Sequence, residues 1–161
     1  MEREDTMRLA LALAREAAEH GEVPVGCVIV GPDGTVIGRG RNRREEEHDA
    51  TAHAEVEAIR EACAARGDWR LDDCALYVTL EPCPMCSGAI IQARIDEVYF
   101  GASDPKSGAV RSVQQMFDLP YNYHPAVTEG LLREECSAML TAFFRELRLQ
   151  RRKKEDPEEK K

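Results

Sequence analysis

The sequence predicts an α/β domain: a mixed sheet flanked by helices. Two observations carry this. A strand–turn–strand pattern runs from Val23 to Gly38, which sets two strands antiparallel. A strand–helix–strand order runs from Cys74 to Gly101, which a right-handed crossover closes into a parallel pair. One hairpin and one crossover in the same chain make the sheet mixed.

Thr6 to Glu19 is predicted as the first helix, with Asp5 or Thr6 as its cap. Met7, Ala10, Leu11, Ala14 and Ala18 lie along one side, Leu9 and Leu13 widen it, and Gly21 stops it. Val23 to Val30 reads as a strand, with Pro24 near its start, where a missing donor is tolerable. Gly31-Pro32-Asp33-Gly34 marks a turn, and the returning strand begins over Thr35 to Gly38. Asn42 to Ala50 reads as a polar loop, and Glu45-Glu46-Glu47 as a solvated face or the rim of a pocket.

Asp49 or Thr51 can start a second helix that runs to Arg66 and ends at Gly67. Val56, Ile59, Ala62 and Cys63 follow its helical spacing. Cys74 to Leu80 is a mostly apolar run, as expected of a central strand covered on both faces. Glu81-Pro82 breaks it, Cys83 to Arg94 forms a short helix, and Asp96 to Gly101 is the next strand. Ala102 to Tyr123 is irregular, with a short helical stretch near Val113 to Phe117. Val127 is placed on a further edge strand, and Thr128 caps a long final helix. Leu132, Cys136, Met139, Leu140, Phe143 and Leu147 form that helix's stripe, read as core packing.

The chain has 161 residues, 43% hydrophobic and 32% charged, enough for one domain with its own core. No repeat or second domain is visible. Residues 1–150 are assigned to the domain, and residues 151–161 to a charged, disordered tail. No run is long enough to span a bilayer. Glu2, Glu4 and Asp5 are unlike the start of a signal peptide, so the cytoplasm is the expected compartment. Of six cysteines, Cys27, Cys63, Cys74 and Cys136 sit among apolar neighbours and read as small reduced side chains. The net charge of -8 argues mildly against a nucleic-acid partner, although a local field matters more than the sum. From Arg148 to Lys161 there are 7 Lys/Arg against 4 Asp/Glu, read either as a solubilising end or as an RNA contact.

Two short stretches carry chemistry: His53-Ala54-Glu55 and Pro82-Cys83-Pro84-Met85-Cys86. Cys83 and Cys86 are i and i+3, so a helix can aim both thiols at one point. The pair alone fits a redox couple or half of a structural zinc site. No second close cysteine pair completes an all-cysteine site, and redox chemistry leaves His53 and Glu55 unexplained. His53, Cys83 and Cys86 as zinc ligands would keep a fourth position open for water. His20, His48 and His124 lie in helix-end, polar or loop contexts and are set aside. Zinc activates water near neutral pH, and the reaction then needs a proton carrier. Glu55 would supply that carrier by taking the proton of the water. Its plainer reading is a first-turn glutamate facing free amides. In the same way, Asn42 can cap a turn or touch a ligand, and Asp104-Pro105 can be a turn or a binding loop. Lys106 and Arg111 face either phosphate or water. Glu81 either braces the site or ends the strand.

With these stretches in place, the chain resembles the bacterial tRNA-specific adenosine deaminases of the cytidine/deoxycytidylate deaminase superfamily. Gly21-Glu22-Val23-Pro24-Val25-Gly26, Asn42, Thr51 to Glu55, Leu80 to Ala89, Phe100-Gly101-Ala102, Asp104 to Ala109 and Thr128-Glu129-Gly130 carry the likeness, which covers roughly Thr6 to Leu149. It implies a three-layer α/β/α cytidine-deaminase-like fold with a mixed five-stranded sheet, and a homodimer with sites near the interface. It implies one Zn2+ per subunit on His53, Cys83 and Cys86, with Glu55 as proton carrier. The implied reaction converts adenosine to inosine at the wobble position of a tRNA anticodon loop. Asn42, the Ala54 backbone amide and Asp104 are implied contacts to substrate. Lys106, Arg111 and Arg148 to Lys154 are expected as a basic rim. The family's Asn-His pair reads Asn122-Tyr123-His124 here, which leaves Asn122 an RNA contact and offers Tyr123 as a stacking ring. Deamination of free guanine or cytidine is the alternative, since it uses the same zinc residues.

Overall fold

The computed structural model describes residues 2–155. In chain order the elements are α1 (Arg3–Glu19), β1 (Gly26–Val30), β2 (Val36–Arg41), α2 (Arg44–Glu47), α3 (Ala54–Arg66), β3 (Ala75–Leu80), α4 (Pro84–Ala93), β4 (Glu97–Ala102), a 3-10 turn (Met116–Asp118), β5 (Ala126–Glu129) and α5 (Arg133–Glu155). The strands form one five-stranded sheet in the order β2-β1-β3-β4-β5. β1 is antiparallel to both β2 and β3, while β3, β4 and β5 run parallel. This is the expected mixed sheet.

Period-2 alternation sorts the sheet residues into two cores. Cys27, Ile29, Leu76, Val78, Val98 and Phe100 face one way, against Ala54, Ala58 and Ala62 of α3 and Ile90 and Ile91 of α4. Val28, Tyr77 and Tyr99 face the other way, against Met7, Ala10 and Leu11 of α1 and Cys136 of α5. Helices therefore cover both faces, giving three layers. Each fully buried Ile, Leu, Val or Met contributes about 1.5–3 kcal/mol.

Glycines set how closely the helices approach. A Cβ on Gly26 would lie 1.9 Å from the Ala10 carbonyl oxygen, and one on Gly40 would lie 2.1 Å from the Ala54 carbonyl oxygen. These strands press backbone against helix backbone, so α1 and α3 sit lower on the sheet than side chains would allow.

Several boundaries differ from expectation, each for a local reason. α1 begins at Arg3, and Thr6 is inside its first turn, donating its hydroxyl to the Glu2 carbonyl at 3.2 Å rather than capping. The segment at Pro24 stays outside β1, bent by a Val25 N–H to Val23 carbonyl bond of 2.8 Å. The supposed polar loop contains α2, whose free amides at Glu45 and Glu46 are taken by the buried carboxylate of Glu22. Asp49 and Thr51 bond each other, and the N-cap of α3 is His53. Thr128 lies in β5 opposite Tyr99 instead of capping α5, which begins after Leu132 takes a positive φ of 53°. α5 continues to Glu155, past the boundary placed at 150, with Arg152, Lys153 and Lys154 in its last turn where cations suit the helix dipole. The rest of the expected tail lies outside the described residues. None of the described helices is long and apolar enough to cross a membrane.

Gly40→Ala is expected to lower unfolding stability by about 1–3 kcal/mol, through overpacking of β2 against α3. The urea midpoint of the variant measures this; an unchanged midpoint would mean that α3 can move away freely.

Candidate active site

The site forms where two helices start. His53 is the N-cap residue of α3 and Cys83 that of α4, both in extended conformation with no side-chain capping bond. Pro84 occupies the first turn of α4, where its missing N–H costs nothing. Cys86 follows one turn along, fully buried.

His53 Nδ1 lies 3.6 Å from Cys83 Sγ and 3.4 Å from Cys86 Sγ. The three ligand atoms all fall within 4.8 Å of one another. A tetrahedral zinc with ordinary Zn–N and Zn–S bonds places N and S about 3.6 Å apart. The donor set and its spacing thus fit zinc. Among the described residues no other group of His, Cys, Asp or Glu side chains converges in this way.

The protonation pattern also suits a cation. The Cys83 thiol is pushed down to about 4, chiefly by the hydrogen bond from Cys86, with a further contribution from His53. The same sulfur–sulfur bond, with burial, pushes Cys86 well up. Glu55, only 4% exposed, lies in the first turn of α3. Burial pushes its carboxyl up to about 7, and the nearby Cys83 thiolate adds to this. A carboxyl with that affinity can both take and release a proton near neutral pH.

A cleft of about 760 Å³ opens over these residues. Its walls include Asn42, His53, Glu55, Glu81 and Cys83, the segment Ser103 to Ser107, and Leu140, Phe144 and Leu147 of α5. Four cations line it: Arg44, Lys106, Arg148 and Arg151. Asn42 is nearly buried and works as a brace. Its Oδ1 accepts from the Ala54 N–H at 3.0 Å and its Nδ2 donates to the Val23 carbonyl at 3.2 Å. The Ala54 amide, expected to meet substrate, is therefore already engaged. Asp104 Oδ1 accepts from the Lys106 and Ser107 amides, each at 3.1 Å. Glu81 is buried at the end of β3. Burial would raise its carboxyl, but bonds from the Ser112 hydroxyl and the amides of Arg111, Ser112 and Asp104 hold it below the usual range.

Other expected residues lie away from this cleft. Asn122 and Tyr123 do not line the cleft. The Tyr123 hydroxyl donates to Asp96, and the Arg94 guanidinium lies 5.5 Å from its ring centroid. Asp96 precedes β4 while Ser103 follows it, so this ring stands roughly 20 Å along the strand from the cleft. Arg111 likewise turns away, with Nη1 3.8 Å from Asp118. Arg44 and Phe144 were missed. Arg44 is hidden in sequence beside three glutamates. Of the stripe expected to be core, only Cys136 is buried, with Leu132, Met139 and Leu140 packed partly against the core; Leu140 and Leu147 also line the cleft, and Phe144 and Arg151 join them there.

A His/Cys/Cys zinc set with a protonatable carboxyl, in a three-layer α/β/α domain, defines a hydrolytic nucleobase deaminase. The chain belongs to the family of the cytidine and deoxycytidylate deaminase zinc-binding region, which residues 1–102 match. It is 52% identical over 149 residues to a tRNA-specific adenosine deaminase of Agrobacterium fabrum, covering 92% of this chain and 97% of that protein. It is 49% identical over 143 residues to the tRNA-specific adenosine deaminase of Bacillus subtilis, covering 88% of each. A solved structure from work on A-to-I editing by deaminases at the wobble position of transfer RNA aligns with a TM-score of 0.82 at 51% identity, covering 86% of this chain and 100% of that one.

Cys83→Ser is expected to cut bound zinc to about a tenth or less, because a thiolate ligand is lost. Metal analysis of the purified variant checks this, and retention of full zinc would reject Cys83 as a ligand.

Proposed function

We propose that this protein deaminates adenosine to inosine at the wobble position of a tRNA anticodon loop. The observation that carries the reading is Glu55, a buried carboxyl beside the converging His53, Cys83 and Cys86 side chains in the wall of a cation-lined cleft. Zinc bound by those three residues, one per subunit, would act as a Lewis acid and lower the pKa of a water.

The protein's own groups do the rest. Glu55 takes a proton from the attacking water and passes it to the adenine ring nitrogen next to the reacting carbon. The hydroxyl now on the ring carbon gives its proton through Glu55 to the amino group, which leaves as ammonia, and the carbon keeps the oxygen as a carbonyl. Water and adenosine are consumed, inosine and ammonia are formed, and the enzyme ends unchanged. Asn42 holds the start of α3 and so the aim of Glu55.

The surroundings favour RNA. A loop base is already unpaired, so turning it into the pocket is cheap. Arg44, Lys106, Arg148 and Arg151 give a local positive field despite the net charge of -8. Phe144, 40% exposed in the cleft, offers a ring for a neighbouring base. We also read the protein as a cytoplasmic homodimer. The helix layer of α3 and α4 is flanked by exposed Trp69, Met85, Val113 and Leu119, an apolar set that a second copy would cover.

Zinc-loaded protein is expected to form inosine at the wobble position of an anticodon stem-loop. Glu55→Ala should lower kcat by about 10²-fold or more while zinc stays bound. Deamination of free guanine or cytidine alone would overturn the tRNA reading. Light scattering should report twice the 18.0 kDa chain mass; a monomer would reject the dimer.

A further inference from the structure

The carboxylate of Glu81 collects five donors. Oε1 accepts from the Asp104 N–H at 3.0 Å and the Ser112 hydroxyl at 2.5 Å. Oε2 accepts from the amides of Val110 at 3.1 Å, Arg111 at 2.8 Å and Ser112 at 2.9 Å. All five belong to one loop, residues 104–112. The same loop supplies Asp104, Pro105, Lys106 and Ser107 to the wall of the cleft.

Val110 of the loop also packs into the core beside Ile90 and Phe100, but few other hydrogen bonds tie the loop to the preceding chain. The β3–β4 ladder ends at the Leu80 and Ala102 pair. Beyond it, the Glu81 N–H donates to the Ala102 carbonyl at 2.8 Å and the Ala109 N–H to the Pro82 carbonyl at 2.9 Å. Among the described residues, no hydrogen bond joins the Glu81 carboxylate to His53, Cys83 or Cys86. The side chain thus reaches the loop and not the ligand turn, although it stands two residues from Cys83.

Gly108 completes the fit. Its φ is outside the left-handed region, so backbone freedom does not explain it. A Cβ there would lie 2.3 Å from Glu81 Cδ and 2.4 and 2.5 Å from its two oxygens. The carboxylate occupies the space that a side chain at position 108 would fill.

We propose that Glu81 is a positioning residue: by gathering the amides of residues 104–112 it sets the height and register of that loop over the cleft, and so the grip on the RNA loop. It takes no part in holding metal or moving protons. This rests on the tRNA reading above.

Glu81→Gln keeps the size but turns an NH2 toward N–H donors, leaving buried amides unpaired. KM for the anticodon stem-loop should rise about tenfold, with kcat within about threefold of the parent and zinc content unchanged. Hydrogen exchange at the amides of Asp104, Val110, Arg111 and Ser112 should quicken, while α4 keeps its protection. Gly108→Ala should reproduce the exchange change, by pushing the carboxylate aside from the other partner. An unchanged KM, or zinc and kcat falling together at constant KM, would overturn the proposal. If the parent protein leaves the stem-loop unaltered, the tRNA reading fails, and exchange alone decides the role of Glu81: unaltered exchange in both variants rejects it.

Discussion

Two helix starts aimed at one point are the constraint on which the molecule depends. α3 and α4 begin with His53 and Cys83, and each helix start carries roughly half a positive charge from its free amides. Such ends repel unless negative charge lies between them. Thiolate character at Cys83 supplies it, and so does a carboxyl at Glu55 once it gives up its proton. The ligand set is therefore also the electrostatic solution to packing the two helices side by side.

The sheet holds these starts in place. The parallel β3–β4 pair sends α4 back across one face, and the hairpin of β1 and β2 supports α3 on the same face. Gly38 and Gly40 let α3 rest on β2 backbone to backbone, which fixes its depth to within what a methyl group would alter. Asn42, just after β2, then ties the first amide of α3 to the Val23 carbonyl. A short polar side chain thereby links hairpin, entry segment and α3.

Around this rigid floor the cleft is assembled from distant pieces. One wall is the loop after β4, hung on Glu81. Another is α5, whose Leu140, Phe144 and Leu147 face the opening while Cys136 packs beneath the sheet. Cleft wall and core contact thus adjoin on one helix. Cations enter from three separate segments, which is how an acidic chain presents a positive rim.

The sequence by itself determined the sheet's two connection types and the Cys83 and Cys86 pair, because these depend on spacing within one turn or one strand; His53, 30 positions before Cys83, and Glu55 were joined to that pair by the motif shared with the deaminases. Helix starts and stops were legible where glycine closes them, as at Gly67, and not where capping came from far away, as with Glu22 over α2. The tertiary structure alone decided which polar residues face the cleft. Tyr123 read as a stacking ring but is held by Asp96 at the opposite end of β4; Arg44 was hidden in an acidic run yet lines the opening. Gly108, unmarked in the irregular stretch after β4, leaves the space that the Glu81 carboxylate fills. Contacts between residues twenty or thirty positions apart follow from how strands end and helices lie, and no local pattern encodes where such ends meet.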